Sequence, residues 1–311
     1  MFRTGHPAQR VWMRIHGVCA HPRLGRWARS TAGSWVIPVT LVSAITPAAA
    51  GTLRYPWLAS GEARPGIAER IAPPRGAERI ALAADDFGEW LRQLPLLPGT
   101  PDVLLFDGSP KHDQTAHVAV LDLDVGERDL QQCADAVIRL RAEWLRASGR
   151  ADAIGFRFTS GDLARWSAWR TGERPVVLGR FVRWFRRAGP DDSDASFRAY
   201  LDTVFRYAGS ASLEGELVPV EAESAVLPGD VFIQGGHPGH AVLVVDVAAD
   251  PTTARRYFLL AQSYMPAQQV HVLRNPARAD AWYVAGAPGP LVTPEWVFPP
   301  RSLRRFPAPL R

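Results

Sequence analysis

Two side chains of this sequence could form a nucleophile and its base. Cys133 lies near the start of the segment 129–146, where apolar residues recur at helical spacing and Asp129 is the expected N-cap. A helix N-terminus favours the thiolate over the thiol and so lowers a cysteine pKa. His240 opens the apolar run 241–247, which predicts a strand buried on both faces. An imidazole at that strand end could take the thiol proton, giving a thiolate–imidazolium pair.

Such a base needs a third group that holds the ring, and Gln262 is the first candidate. It lies on the next predicted strand, 257–263, where alternation places it on the same face as Leu260. A buried amide at that position requires a hydrogen-bond partner. A strand-end amide bonded to backbone would meet the same requirement. His271, one strand further along, is the second candidate for the third group.

Each member of the pair also has a purely structural explanation. A free cysteine such as Cys133 often fills a small slot in a core, and His240 could cap its strand through a backbone hydrogen bond. His237 lies three residues before His240, but no cysteine or acid lies at zinc-ligand spacing, so no metal is predicted. Glycine-rich phosphate motifs and Gly-x-Ser-x-Gly are absent, and no cofactor is predicted.

Residues around the pair could contact a substrate. Gln132 directly precedes Cys133, and its side chain or nearby backbone amides could stabilise an oxyanion. The open loop that contains Gly235, Gly236 and His237 could form one wall of a cleft. These residues are therefore candidates for binding rather than for chemistry.

Two tryptophans and several charged residues complete the set of candidates. Trp166 and Trp169 could line a groove for a glycan or a peptide, with core packing as the alternative. Lys111 lies in a polar loop and is expected to be solvated. Four aspartates are explained as caps and strand ends rather than as a cation site: Asp107, Asp122, Asp124 and Asp129.

The order of the predicted elements favours an α+β fold. A helix precedes a run of strands within 85–306, which is predicted to be a single domain. Strands are expected at 103–106 and 117–124, paired as a hairpin. An α-rich insertion is expected at about 150–226. Residues 51–84, rich in Gly, Pro, Arg and Ala, are expected to form a flexible lead-in.

The first 50 residues have the organisation of a signal peptide. They carry six arginines and no acid, and removing these six leaves 30 basic residues against 31 acidic ones, so no nucleic-acid footprint remains. The apolar stretch 35–46 is too short to span a bilayer as a helix, and the small residues at 47–50 suit a signal peptidase. A basic tail or an uncleaved anchor is the alternative, and translation could begin at Met1 or Met13.

Cleavage after this leader would deliver the protein to the periplasm or the extracellular space. Cys19 lies within the leader, so the mature chain would keep Cys133 as its single thiol and would form no internal disulfide. No integral membrane span is expected after the leader is removed.

The whole chain resembles the DUF4846 family of uncharacterised bacterial proteins, which are usually exported. The matching stretches are 94–99, 129–135, 228–233 with 239–241, and 260–268. The core is also similar to the NlpC/P60 and CHAP cysteine peptidases. In those families a helix-borne cysteine precedes a small sheet, and a Gly-Asp turn leads to the strand before the histidine.

The second resemblance implies a papain-like fold, in which an N-terminal helix that carries the cysteine packs on an antiparallel sheet. It also implies thiol attack on amide bonds, often in peptidoglycan. By position it assigns the nucleophile to Cys133, the base to His240 and the orienting group to Gln262. The expected function is thiol-dependent hydrolysis or transfer at an amide bond of cell-wall peptide. The alternative is a non-catalytic envelope protein that binds glycan or peptide through the same fold.

Overall fold

A computed structural model of the chain describes residues 55–58 and 64–307. The predicted leader, 1–50, and its cleavage point lie outside these residues. Within the described part, no helix combines the length and the apolar character that a membrane crossing requires.

The described residues form six α-helices and fifteen strands, most of them short. The helices are α1 (Ile67–Arg70), α2 (Phe87–Arg92), α3 (Cys133–Ala147), α4 (Trp166–Arg170), α5 (Asp194–Tyr207) and α6 (Ser210–Glu216). The strands are β1 (Glu78–Arg79), β2 (His117–Val120), β3 (Gly155–Arg157), β4 (Leu163–Arg165), β5 (Glu173–Leu178), β6 (Phe181–Arg186), β7 (Val218–Pro219), β8 (Val231–Gln234), β9 (His240–Ala249), β10 (Arg256–Gln262), β11 (His271–Leu273), β12 (Tyr283–Val284), β13 (Leu291–Val292), β14 (Val297–Phe298) and β15 (Leu303–Arg305).

Nine of these strands form one antiparallel sheet. Its main order is β2-β11-β10-β9-β8-β15-β7, and β1 and β12 pair with β9 and β10 respectively. The remaining strands form three separate pairs, β3–β4, β5–β6 and β13–β14. Helices that accompany antiparallel sheets confirm the predicted α+β class.

Strand β9 is buried over both faces, as its apolar sequence predicts. Ala241 and Leu243 belong to the core cluster that also contains the apolar residues of α3. Val242 and Val244 belong to a second cluster on the other face, with Phe298 of β14. A polar side chain on β9 therefore needs a partner within the protein.

Two predicted segments have a different structure. Part of the expected lead-in, 51–84, is ordered, because β1 pairs with the end of β9. The expected insertion, 150–226, is mixed rather than α-rich, because it contains the strand pairs β3–β4 and β5–β6 beside three helices. Val176, Val177 and Val182 favour strand, and Gly179 has the positive φ of +58° that suits a turn.

The predicted hairpin of 103–106 with 117–124 is wrong. Gly108 has a φ of +81°, and the chain turns back there, so that Lys111 N–H donates to Val103 O at 2.8 Å. The backbone of 103–106 is therefore paired with its own loop and with residues 267–269, and β2 pairs with β11 instead.

A buried ion cluster joins the middle of β9 to the N-terminal elements. Asp246 is fully buried, and its Oδ2 accepts a hydrogen bond from Arg79 Nε at 2.6 Å. Its Oδ1 lies 3.1 Å from Arg92 Nε and accepts from the N–H of Val247 at 2.9 Å. The carboxylate thus ties β1 and the end of α2 to the central strand.

Replacing Asp246 tests this cluster. We expect Asp246→Ala to lower the free energy of unfolding by about 3–5 kcal/mol, because Arg79 loses its carboxylate partner and Arg92 keeps only Glu89. Chemical denaturation of both proteins measures the difference. Asp102→Ala, at an exposed site, is the control and should change stability by less than about 0.5 kcal/mol. An equally small change in Asp246→Ala would contradict the prediction.

Candidate functional site

Cys133 is the first residue of α3. The helix begins after Gln132, whose N–H donates to Asp135 Oδ2 at 3.1 Å. The predicted N-cap, Asp129, is wrong, because its carboxylate instead accepts from the N–H of Ala267 at 2.7 Å. Cys133 consequently lies among the backbone N–H groups that have no helical acceptor.

Burial dominates the chemistry of the Cys133 thiol. The residue is 8% exposed, and burial raises the pKa of the thiol to about 11. The N–H groups of Ala241, Ala134 and Cys133 itself oppose this rise, while the Asp135 carboxylate adds to it. The expectation that the helix N-terminus lowers the thiol pKa is wrong, because desolvation raises the pKa by more than the backbone N–H groups lower it.

His240 lies at the same end of β9 as this thiol. The N–H of Ala241, the next residue, donates toward the Cys133 sulfur. The His240 ring packs against Tyr264 and Trp296, with ring centroids 4.7 and 5.3 Å away. The structure therefore brings Cys133 and His240 to one strand end, with both side chains largely excluded from water.

Gln262 holds the His240 ring. His240 Nε2 lies 2.9 Å from Gln262 Oε1, and Gln262 Nε2 donates to Glu295 Oε2 at 2.7 Å. The carboxylate only accepts hydrogen bonds, so it fixes the amide with Oε1 toward the ring. Oε1 also only accepts, so the proton of the neutral ring is on Nε2 and the basic nitrogen is Nδ1.

Burial keeps the His240 ring neutral. It lowers the pKa of His240 to about 4, and the hydrogen bond with Gln262 opposes this shift only in part. At neutral pH the ring can therefore accept a proton at Nδ1 while its Nε2–H stays bonded to the amide.

A lysine completes a chain of four side chains that ends at His240 Nε2. Lys111 Nζ lies 2.8 Å from Glu295 Oε1 and donates to Asp113 O at 2.7 Å. Lys111 is buried, so the expectation that it is solvated is wrong; the carboxylate and the carbonyl together replace its water. The chain runs from Lys111 through Glu295 and Gln262 to His240.

His271, the second candidate for the orienting group, lies on the other side of the Gln262 amide. Its Nε2 is 3.4 Å from Gln262 Nε2, and its Nδ1 is 2.9 Å from Gln269 O. If Nδ1 donates to that carbonyl, Nε2 accepts the second N–H of Gln262. Burial lowers the pKa of His271 to about 3, so this ring too is neutral. It supports the amide and makes no hydrogen bond to His240.

The sequence interpretation missed Glu295, although one signal points to it. Glu295 is the single charged residue between Asp280 and Arg301 in a Pro-rich, apolar segment. A single acid in such a segment is expected to pair with a cation or a hydrogen-bond donor inside the protein. Trp296, which packs on the His240 ring, comes next in the chain.

The predicted glycine loop is at the surface beside His240. Gly236 and His237 are exposed. Gly235 N–H donates to Glu214 Oε2 at 3.2 Å, and a Cβ on Gly235 would come within 2.5 Å of the same oxygen. Gly235 thus permits close contact with α6, and the exposed part of the loop stays a candidate wall. No group of three or more potential metal-ligating residues, with His237 or elsewhere, occurs in the described residues.

Gln132, the expected oxyanion donor, is already engaged. Its Nε2 donates to Asp129 Oδ1 at 3.0 Å. The side chain would have to leave this carboxylate to reach a substrate, whereas the backbone N–H groups at the start of α3 need no such change.

The two tryptophans do not line a groove. Trp166 and Trp169 are 1% and 6% exposed, and both rings pack against Tyr200. The expected binding role is wrong for both residues, because the insertion uses them to fill its own core.

The fold and the site together define an α+β domain with a buried Cys–His–Gln arrangement at one end of its central strand. Residues 67–305 match the family model described as Domain of unknown function (4846). The match covers well over half of the chain, and the protein belongs to the DUF4846 family. No curated protein and no solved structure matches the chain significantly.

The hydrogen bonds of His240 generate a spectroscopic prediction. We expect its ring to be a neutral Nε2–H tautomer from pH 8 to about pH 5, because its pKa is about 4 and Gln262 accepts from Nε2. Long-range ¹H–¹⁵N correlation spectra measure the tautomer. In Gln262→Leu the preference for Nε2–H should be lost. An Nδ1–H or doubly protonated ring in the wild-type protein at pH 7 would exclude the arrangement.

Proposed function

We propose that this protein is a thiol-dependent hydrolase or transferase of amide bonds, with a papain-like core of the NlpC/P60 type. The observation that carries the proposal is the 2.9 Å contact between His240 Nε2 and Gln262 Oε1, because it leaves Nδ1 as a base at the strand end where the Cys133 sulfur lies. The chain order of cysteine, histidine and amide also agrees with that resemblance.

In the proposed reaction, His240 Nδ1 takes the thiol proton as the Cys133 sulfur attacks the carbonyl carbon of an amide. A carbon–sulfur bond forms, and the carbonyl oxygen becomes an oxyanion near the N–H groups at the start of α3. The imidazolium then gives its proton to the amide nitrogen as the carbon–nitrogen bond breaks, which leaves a thioester. Water or a second amine, which gives a proton to Nδ1, then attacks the thioester. The carbon–sulfur bond breaks, and the imidazolium returns a proton to the sulfur.

The resting pair is neutral in this proposal. Burial raises the pKa of Cys133 to about 11 and lowers that of His240 to about 4, so the proton stays on sulfur at neutral pH. Deprotonation is then part of the attack and not a preceding equilibrium. The substrate must also reach a thiol that is 8% exposed, so its binding must widen the region around the start of α3.

Lys111 and Glu295 act as positioning residues. They hold the Gln262 amide in one orientation, so that its carbonyl dipole faces the ring when His240 becomes an imidazolium. The Glu295 carboxylate, which contacts Gln262 rather than His240, also favours the positive charge of the imidazolium. Neither residue contacts the reacting atoms.

Cell-wall peptide is the proposed substrate, and the proposed location is the periplasm or the extracellular space. Both rest on the NlpC/P60 resemblance and on the signal-peptide pattern of residues 1–50. The exposed loop at Gly236 and His237 would offer backbone groups to an extended peptide beside His240.

A non-catalytic envelope protein is the second candidate function. The burial of Cys133 and the rise of its pKa to about 11 favour it, because both are typical of a core cysteine. Under this proposal, His240 and Gln262 are a satisfied polar pair within the sheet.

Activity of matched variants tests the proposed reaction. We expect Cys133→Ala to abolish the release of soluble fragments from purified peptidoglycan, and His240→Ala to slow it about 10²–10⁴-fold through loss of the base. Glu295→Gln should slow it less, since the amide loses a charged partner but keeps an acceptor. Chromatography of the fragments gives the rates, and circular dichroism verifies that each variant is folded.

Asp102→Ala serves as the control for this series and should retain wild-type activity. Release by folded Cys133→Ala at the wild-type rate would exclude thiol catalysis. A wild-type protein that releases nothing under any condition would favour the second candidate.

Alkylation of Cys133 separates the two candidates without a substrate. If His240 is the base, His240→Ala should slow the reaction of native Cys133 with iodoacetamide at pH 7, since the thiol at a pKa of about 11 depends on that base. If Cys133 is only a core residue, the variant should react at an equal or higher rate, because alkylation then follows local opening. Mass spectrometry of the Cys133 peptide gives the rate apart from Cys19, and denatured samples should react equally.

A further inference from the structure

The β5–β6 hairpin exposes an apolar tip. Leu178 pairs with Phe181 across the turn, and the two side chains are 72% and 62% exposed. Phe185 lies four residues after Phe181, on the same face of β6, and is 48% exposed. Large apolar side chains that are grouped and this accessible are typical of interaction surfaces.

The opposite face of the hairpin anchors it to the domain. Val182 is 4% exposed and belongs to the core cluster that contains the apolar residues of α3. Val177 packs against the same cluster. Trp184 stacks on Phe158 with ring centroids 6.3 Å apart. The packed face therefore fixes the hairpin on the domain, and the exposure of the tip does not result from an unpacked strand pair.

Positive charge lies at the tip and along β6. Four arginines of the hairpin and its end have no carboxylate partner within the part of the chain that the structure describes: Arg180, Arg183, Arg186 and Arg187. Glu173 is the only acid between residues 173 and 187. Outside the first 50 residues the charges nearly balance, so this positive charge is a local property of the hairpin.

We propose that the β5–β6 hairpin binds the surface of an anionic lipid bilayer. Leu178 and Phe181 would enter the boundary between headgroups and acyl chains, and the arginines would contact the lipid phosphates around them. An apolar tip with cationic side chains beside it suits that boundary, where hydrocarbon lies directly beneath negative charge. The long arginine stems also let their guanidinium groups stay at the level of the phosphates. This contact is peripheral and is independent of any chemistry at Cys133.

Vesicle binding by the full chain tests the proposal. Sedimentation with vesicles of phosphatidylcholine and phosphatidylglycerol, and with phosphatidylcholine alone, gives the partition coefficients. We expect Arg180→Ser/Arg183→Ser to weaken binding to the anionic vesicles about 25-fold, at roughly fivefold per arginine. Leu178→Ser/Phe181→Ser should weaken it by at least about tenfold. Added salt should weaken wild-type binding.

A matched charge control separates local from general electrostatics. Arg75→Ser/Arg206→Ser removes the same charge from two exposed sites outside the hairpin and should change binding less than twofold. Equal losses in both arginine pairs would overturn the proposal. So would a loss in the arginine pair alone with full binding by Leu178→Ser/Phe181→Ser, which would indicate a soluble polyanion as the partner.

A local measurement removes the contribution of the basic leader, which is present in every variant. With 4-fluorophenylalanine in place of Phe181, the ¹⁹F signal should broaden when the anionic vesicles carry a paramagnetic lipid. A signal that stays sharp while the protein sediments with the vesicles would overturn the proposal, because another segment would then hold the membrane.

Discussion

The polar side chains of β9 have no access to water, because α3 covers one face of the strand and the segment around Phe298 covers the other. Each polar group on the strand must therefore be satisfied from inside the protein. Asp246 meets this requirement with arginines from β1 and α2, and His240 meets it with Gln262. The ion cluster and the candidate site are two results of one constraint.

The same burial that organises the site also limits its reactivity. Desolvation disfavours both a thiolate at Cys133 and an imidazolium at His240, so the two charges can form only together. The amides that face the sulfur and the Gln262 carbonyl that faces the ring are oriented before any charge develops. Such an arrangement suits a charge pair that exists briefly during attack, and it suits a stable thiolate poorly.

The sequence predicts well what depends on neighbouring residues. The start of β9 at His240 follows from the change from glycine loop to apolar run, and alternation places Gln262 on the face of Leu260. The burial of Cys133 cannot be inferred from its neighbours in the chain. The sequence alone therefore predicts a low pKa for its thiol. The partnership of Lys111 with Glu295 joins two loops far apart in the chain, and no local pattern indicates it.

Glu295 also imposes an order of events on a newly made chain. It follows Gln262 by 33 residues, so the cysteine, the histidine and the amide all leave the ribosome before the carboxylate that orients them. Until then the Gln262 amide has only His271 Nε2, 3.4 Å from its own Nε2, to orient it. A nascent polypeptide, or one degraded from its carboxyl terminus past residue 295, would hold every member of the candidate triad without the carboxylate that fixes the Gln262 amide. The segment that carries Glu295 thus adds the last side-chain contact of the candidate site.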